Sequence, residues 1–218
     1  AIGKVDKAIE HLKKAVQLNP NYFDAHVNLG ITYYVLGRYE EALEELKRSI
    51  QLNSRHAEVY ITLGNTYYVL QRFADASSCF HRAVQLTPDS AEAYYNYAVS
   101  LESQNKFPEA IKAYIRSIEL EPHFATAYNN LGNLLIQRGK WDEAIAFLKE
   151  AVAIEPNLLL AYNNLGKAYY EKGLIDESIT AFERASALYT QMMNSSSDSF
   201  SFKPHSLLLP PSNISSLP

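Results

Sequence analysis

A period of 34 residues runs through this chain and constrains its fold more than any single residue does. Segments beginning at Phe23, Ala57, Ala91, Ala125 and Leu159 place like residues in like columns. The fourth column reads His26, Tyr60, Tyr94, Tyr128, Tyr162. The seventh and eighth read Leu29-Gly30, Leu63-Gly64, Tyr97-Ala98, Leu131-Gly132, Leu165-Gly166. Column twenty holds Ala42, Ala76, Ala110, Ala144 and Ser178, and column twenty-seven holds Ser49, Ala83, Ser117, Ala151 and Ala185. Such a chain has no single central core. Each unit buries its apolar face only against its neighbours, which makes the array a solenoid.

Each unit reads as two helices. In the first, Tyr128, Leu131, Gly132 and Leu135 follow i, i+3, i+4, i+7, one helical face. Gly139 then stops that helix, because glycine accepts the left-handed conformation favoured just past a helix end. Gly37 and Gly173 do the same, Asn105 can substitute, and Gln71 is the weak member of the column. The second helix carries Trp141, Ala144, Ile145, Leu148 and Ala151 at helical spacing, with acidic residues such as Glu40-Glu41, Asp142-Glu143 and Asp176-Glu177 in its first turn, where the helix dipole favours them. Pro108 sits equally early, where proline costs little. The helix is expected to end near Pro88, Pro122 and Pro156. The small residues of columns eight, twenty and twenty-seven let neighbouring helices approach closely.

Taken together, the pattern Tyr60, Leu63, Gly64, Tyr67, Ala76, Phe80, Ala83, Pro88 resembles the tetratricopeptide repeat. Five full copies, 23–56, 57–90, 91–124, 125–158 and 159–192, follow a leading second half over 1–22, in which Gly3, Asp6, Ala8, Leu12, Ala15 and Pro20 match the columns. That leading half, with no initiator Met, is expected of a fragment of a longer protein. His26 in place of an aromatic, Tyr97-Ala98 in place of Leu-Gly, and Ser54 and Thr190 in place of proline are the departures. The resemblance implies an all-α fold: a right-handed superhelix of antiparallel helix pairs, with first helices lining a concave groove. Residues 193–218 change character. Their serines and Pro204, Pro210, Pro211 and Pro218 give a disordered tail composition in which Leu207-Leu208-Leu209 is an isolated apolar run.

Chemistry-bearing motifs are missing. The sequence has no phosphate-loop, dinucleotide, nucleophile-elbow or zinc-protease signature. The histidines are dispersed, and Cys79 is the single cysteine, so no intramolecular disulfide or cysteine-based zinc site can form. We expect no enzyme activity, no cofactor and no metal. A net charge of −4 without a basic run argues against nucleic acid or an anionic membrane as partner. No run of about twenty apolar residues marks a membrane span, and the expected compartment is the cytoplasm.

One constellation exceeds scaffold needs. Column six reads Asn28, Thr62, Asn96, Asn130, Asn164, although asparagine is a mediocre helix former. The resemblance places this column on the groove, where an amide offers a donor and an acceptor to a peptide backbone. Asn65, Asn129, Asn133, Asn163 and Lys167 lie in adjacent columns, with Tyr34, Tyr68 and Tyr170 nearby. Column two, Asp24, Glu58, Glu92, Thr126, Leu160, lacks the basic residues of the family's carboxylate clamp. The expected partner is therefore an extended neutral or mildly basic peptide segment of a protein client. Two alternatives stand beside this interaction scaffold. One is the substrate-recruiting arm of a larger enzyme, since Tyr128–Gly132 and Tyr162–Gly166 are similar to the repeats of O-linked N-acetylglucosamine transferases. The other is self-association through the array ends.

Overall fold

The computed structural model describes residues 2–195, with side-chain detail from Val5 to Asn194. The tail expected to be disordered from residue 193 is helical over 193–195, as the end of the last helix, and the rest of it, with the Leu207–Leu209 run, lies outside the described residues. Every described element is a helix. A leading α1 (Ile2–Leu18) precedes five pairs: α2 (Phe23–Val35) with α3 (Tyr39–Leu52), α4 (Ala57–Val69) with α5 (Phe73–Leu86), α6 (Ala91–Glu102) followed by α7 (Phe107–Leu120), α8 (Ala125–Gln137) with α9 (Trp141–Ile154), and α10 (Leu159–Glu171) with α11 (Ile175–Ser195). The chain divides into two compact units, Ala1–Gln104 and Asn105–Pro218. Within each unit, helices adjacent in sequence pack side by side.

First and second helices differ in how they are covered. In α4 and α8 the buried residues go round the helix, from Val59 to Tyr68 and from Ala125 to Ile136. Helix α9 buries only the stripe Ala144, Ile145, Leu148, Ala151. The first helices are thus sandwiched, while the second helices keep one wet face.

Close approach sets the spacing inside a pair. A Cβ added to Gly30, Gly64, Gly132 or Gly166 would stand 2.5 to 2.7 Å from the side chain of Leu46, Phe80, Leu148 or Phe182 respectively. Those distances are well inside van der Waals contact. Each large residue fills the notch that the opposite glycine leaves. Columns twenty and twenty-seven are closed completely in the interior repeats, with Ala42, Ala76, Ala110 and Ala144 inaccessible. In the last repeat Ser178 takes the position and donates its hydroxyl to Gly166 O at 2.8 Å.

The turn within each pair places one residue at positive φ: Gly37, Gln71, Asn105, Gly139 and Gly173. Two crossed hydrogen bonds close it. Arg38 N–H donates to Tyr33 O at 2.8 Å and Gly37 N–H to Tyr34 O at 3.0 Å, and Arg72 and Gln71 repeat the arrangement on Tyr67 and Tyr68. A pair of cations flanks the tyrosine at this turn. Tyr33 has the Arg38 guanidinium at 4.5 Å and Lys13 Nζ at 5.9 Å from its ring centre, and Tyr67 has Arg72 at 4.6 Å and Lys47 at 5.6 Å.

Helix α11 runs for 21 residues, where α3, α5, α7 and α9 have 14. Proline follows α5, α7 and α9 two residues after the helix. After α3 the side chain of Asn53 accepts from Arg55 N–H at 3.0 Å and turns the chain. At the matching place in α11 stand Tyr189 and Thr190, and Thr190 Oγ1 donates to Ser186 O within the helix. Nothing there breaks the helix.

Two stability measurements check this account. Gln71→Gly removes a side chain from the left-handed region, where an L residue is strained, and should raise the unfolding free energy by about 0.5–1 kcal/mol in urea titration. Gly132→Ala gains about 1 kcal/mol of helix propensity but drives a methyl into Leu148, and a net loss of about 1–2 kcal/mol is expected.

Candidate functional site

The asparagine-bearing columns lie on the first helices, and neighbouring helices decide which of those side chains meet solvent. Five of the residues singled out in the sequence are buried: Asn65 and Tyr68 on α4, Asn96 on α6, and Asn129 and Asn130 on α8. Asn96 has 0% and Asn130 2% of its surface exposed, so a ligand could not reach either amide without displacing a helix. Asn28 on α2 and Lys167 and Tyr170 on α10 face solvent, while Tyr34 on α2, Asn133 on α8 and Asn163 and Asn164 on α10 are half-buried.

In the second unit the amides are linked. Asn164 Nδ2 donates to Asn129 Oδ1 at 2.9 Å, and Asn129 Nδ2 donates to Asn130 Oδ1 at 3.1 Å. This chain ties α10 to α8 through consecutive side-chain amides, each polarising the next. It also explains why asparagine persists in a helix interior, since Asn129 and Asn130 are bonded where leucine would leave no polar link. Asn163, Asn164, Lys167 and the half-buried Asn133 border this closed amide chain on its solvent side.

The tyrosines divide in the same way. Tyr68 donates to Ser103 Oγ at 3.1 Å, because the Ser103 hydroxyl proton goes to Val99 O. Burial pushes its phenol pKa above the ordinary value, more than the Ser103 bond lowers it. Burial likewise raises the Tyr34 phenol, with Tyr39 adding to the effect. Tyr170 is 63% exposed on the last first-helix.

Sequence reasoning missed the role of His26. It is buried between α2 and α3, with Nδ1 2.6 Å from Glu45 Oε2 and Nε2 3.1 Å from Pro20 O. This clasp holds the α1–α2 turn where the other repeats use tyrosine. Only the unmatched His in an aromatic column, with Glu45 nineteen residues on, could have signalled it. An open hollow beside it is lined by Glu40, Glu44, Lys47, Arg48 and Gln51, whose mixed charges favour no single ligand class.

No group of three or more potential metal ligands occurs among the described residues. Burial, reinforced by Asp75, pushes the Cys79 thiol up to about 12, so it is protonated and unreactive at neutral pH. No helix among the described residues is long and apolar enough to cross a membrane.

Comparison with known proteins places this geometry. Tetratricopeptide-repeat family profiles match residues 1–37, 32–71, 61–118, 101–137, 132–173 and 159–191. The chain belongs to the tetratricopeptide repeat family. Among solved structures it is similar to the MamA protein, at 27% identity over 84% of this chain and 98% of that one with a TM-score of 0.72. It also resembles YrrB, described as a TPR protein with an unusual peptide-binding site, at 22% identity over 85% of this chain and 95% of that one with a TM-score of 0.70. Pseudomonas aeruginosa PilF matches at 18% identity over 76% of this chain and 75% of that one, with a TM-score of 0.68. The last two show the fold alone. No curated protein sequence matches.

The amide chain yields a direct test. Asn129→Ala removes both links of the chain, the bond from Asn164 and the bond to Asn130, and a loss of about 1–3 kcal/mol is expected in urea unfolding. An unchanged midpoint would mean that the amides are satisfied in another way.

Proposed function

We propose that this chain is a non-catalytic interaction scaffold that holds an extended peptide segment of a client protein along the solvent-facing side of α8 and α10. The tetratricopeptide-repeat fold supports the scaffold role. The observation that carries the finer reading is the row Asn133, Asn163, Asn164 and Lys167, which presents amides and one ammonium beside a rigid, internally bonded amide chain. Asn164 donates inward through Nδ2 and keeps Oδ1 as an acceptor, while Asn163 can offer both groups. Such a surface matches backbone N–H and C=O groups of an extended segment and reads its side chains weakly. Because the buried amides are already bonded, the supporting layer need not reorganise when a peptide arrives.

A random peptide library displayed on phage and selected against the full chain supplies the ligand for the test. Asn163→Ala and Asn164→Ala should each weaken the selected peptide about two- to twelvefold, the equivalent of one hydrogen bond of about 0.5–1.5 kcal/mol. Helical circular dichroism should be retained. With Lys167 the single cation in the row, affinity should fall only weakly between low and physiological salt. Selected peptides that bind both variants as tightly as the parent would place recognition on another face.

A further inference from the structure

The outer face of α11 is the strongest unassigned feature. Its inner face, Ser178, Ala181, Ala185 and Leu188, is buried in its own repeat. A second stripe, Ile175, Ile179, Phe182, Ser186, Tyr189 and Met193, recurs at intervals of four and three residues, the spacing of a two-helix seam. Its apolar members are 50%, 51%, 43%, 58% and 58% exposed in that order. In α9 the column of Ile179 is filled by Ile145, which is buried, and α10 packs against that helix; Phe182 rests one edge of its ring on Gly166 and still leaves 43% of its surface exposed. The face is thus built like a covered one and stands open.

We propose that this stripe is the contact of a symmetric dimer, in which α11 of one copy packs antiparallel against α11 of a second. Three observations select a second copy and this direction. The first is area: five large apolar side chains, each about half exposed, leave on the order of 500 Å² per copy, given that large side chains bury about 150–250 Å². That lies at the upper end of what a monomer leaves open in one patch, about 300–600 Å², and doubled it comes close to the lower bound of a specific interface, about 1,200 Å². The second is fit. Centred on Arg184, the antiparallel register sets Ile175 against the partner's Met193, Ile179 against the partner's Tyr189, and Phe182 against the partner's Ser186, so the bulkiest ring meets the smallest residue. The third is charge. Asp176, Glu177 and Glu183 lie in the first half of α11, and the last turns carry no charged residue. A parallel pairing would set each of these carboxylates against its counterpart, whereas the antiparallel one lays Asp176 and Glu177 beside the uncharged last turns of the second copy. The dimer contact is separate from the amide row and does not rest on the peptide reading.

Sedimentation equilibrium of the full chain through the micromolar range should show the mass rising from 24.6 kDa toward twice that value. The pair I179E/Y189E sets like charges against each other across the two-fold and should weaken dimerisation by about a hundredfold or more. The pair I179E/Y189K sets opposite charges together in the antiparallel register alone and should restore most of the association. Both side chains are exposed, and unchanged helical circular dichroism confirms that the variants fold. A chain that stays monomeric throughout overturns the proposal, as do variants that associate like the parent. Failure of I179E/Y189K to recover over I179E/Y189E overturns it as well, because the register would then be wrong.

Discussion

The structure depends on one contact repeated along the chain: a large side chain of the second helix seated where the first helix has no side chain at all. Leu46 on Gly30, Phe80 on Gly64, Leu148 on Gly132 and Phe182 on Gly166 are the same joint at successive repeats. Interiors packed to this density admit no extra methyl without a shift elsewhere. The joint fixes how near the two helices of a pair run. That distance in turn places the turn residue, which must reverse the chain within the span and so adopts positive φ at Gly37, Gln71, Gly139 and Gly173. Gln71 shows that geometry ranks above residue preference here, since the backbone takes the left-handed conformation even where the side chain opposes it.

The two-helix unit, the stops near Pro88, Pro122 and Pro156 and the tight columns were legible in the sequence, because periodicity and column chemistry report local physics, whereas the extension of α11 to Ser195 was not. What periodicity could not report is coverage. Asn28 and Asn96 share a column, yet one is exposed and the other inaccessible, because burial depends on the next helix over and not on the helix that carries the residue. The amide chain from Asn164 through Asn129 to Asn130 is hidden for the same reason. It joins side chains 35 residues apart, and no single repeat contains it. His26 escaped in another way: its partners are a carboxylate in the following helix and a backbone carbonyl, and only its place in an aromatic column marks it in the sequence.

These buried amides change what the recurring asparagine means. In a column that touches the neighbouring helix, an amide that both donates and accepts can be bonded on either side, so the same residue type serves every repeat. A partly satisfied amide in such a place would be costly, which favours chains over isolated members. The proposed binding row borders the chain, with Asn163 half-buried and Lys167 exposed on a helix whose inward amide is already fixed.

The end of the array follows from the same logic. The second helices α3, α5, α7 and α9 each pack against the next first helix, and Ile145 on the α9 side of the last such contact is buried. Repetition of the sequence rule through the last repeat keeps that face apolar in α11, and seven further residues prolong it as Tyr189 and Met193 continue the stripe. A terminal repeat specialised only for solubility would carry polar residues in those columns. Ile179 and Phe182 keep the interior chemistry instead. An array that retains it at an open end has a surface complementary to helices of its own kind, and the simplest such helix available to every molecule in solution is α11 itself.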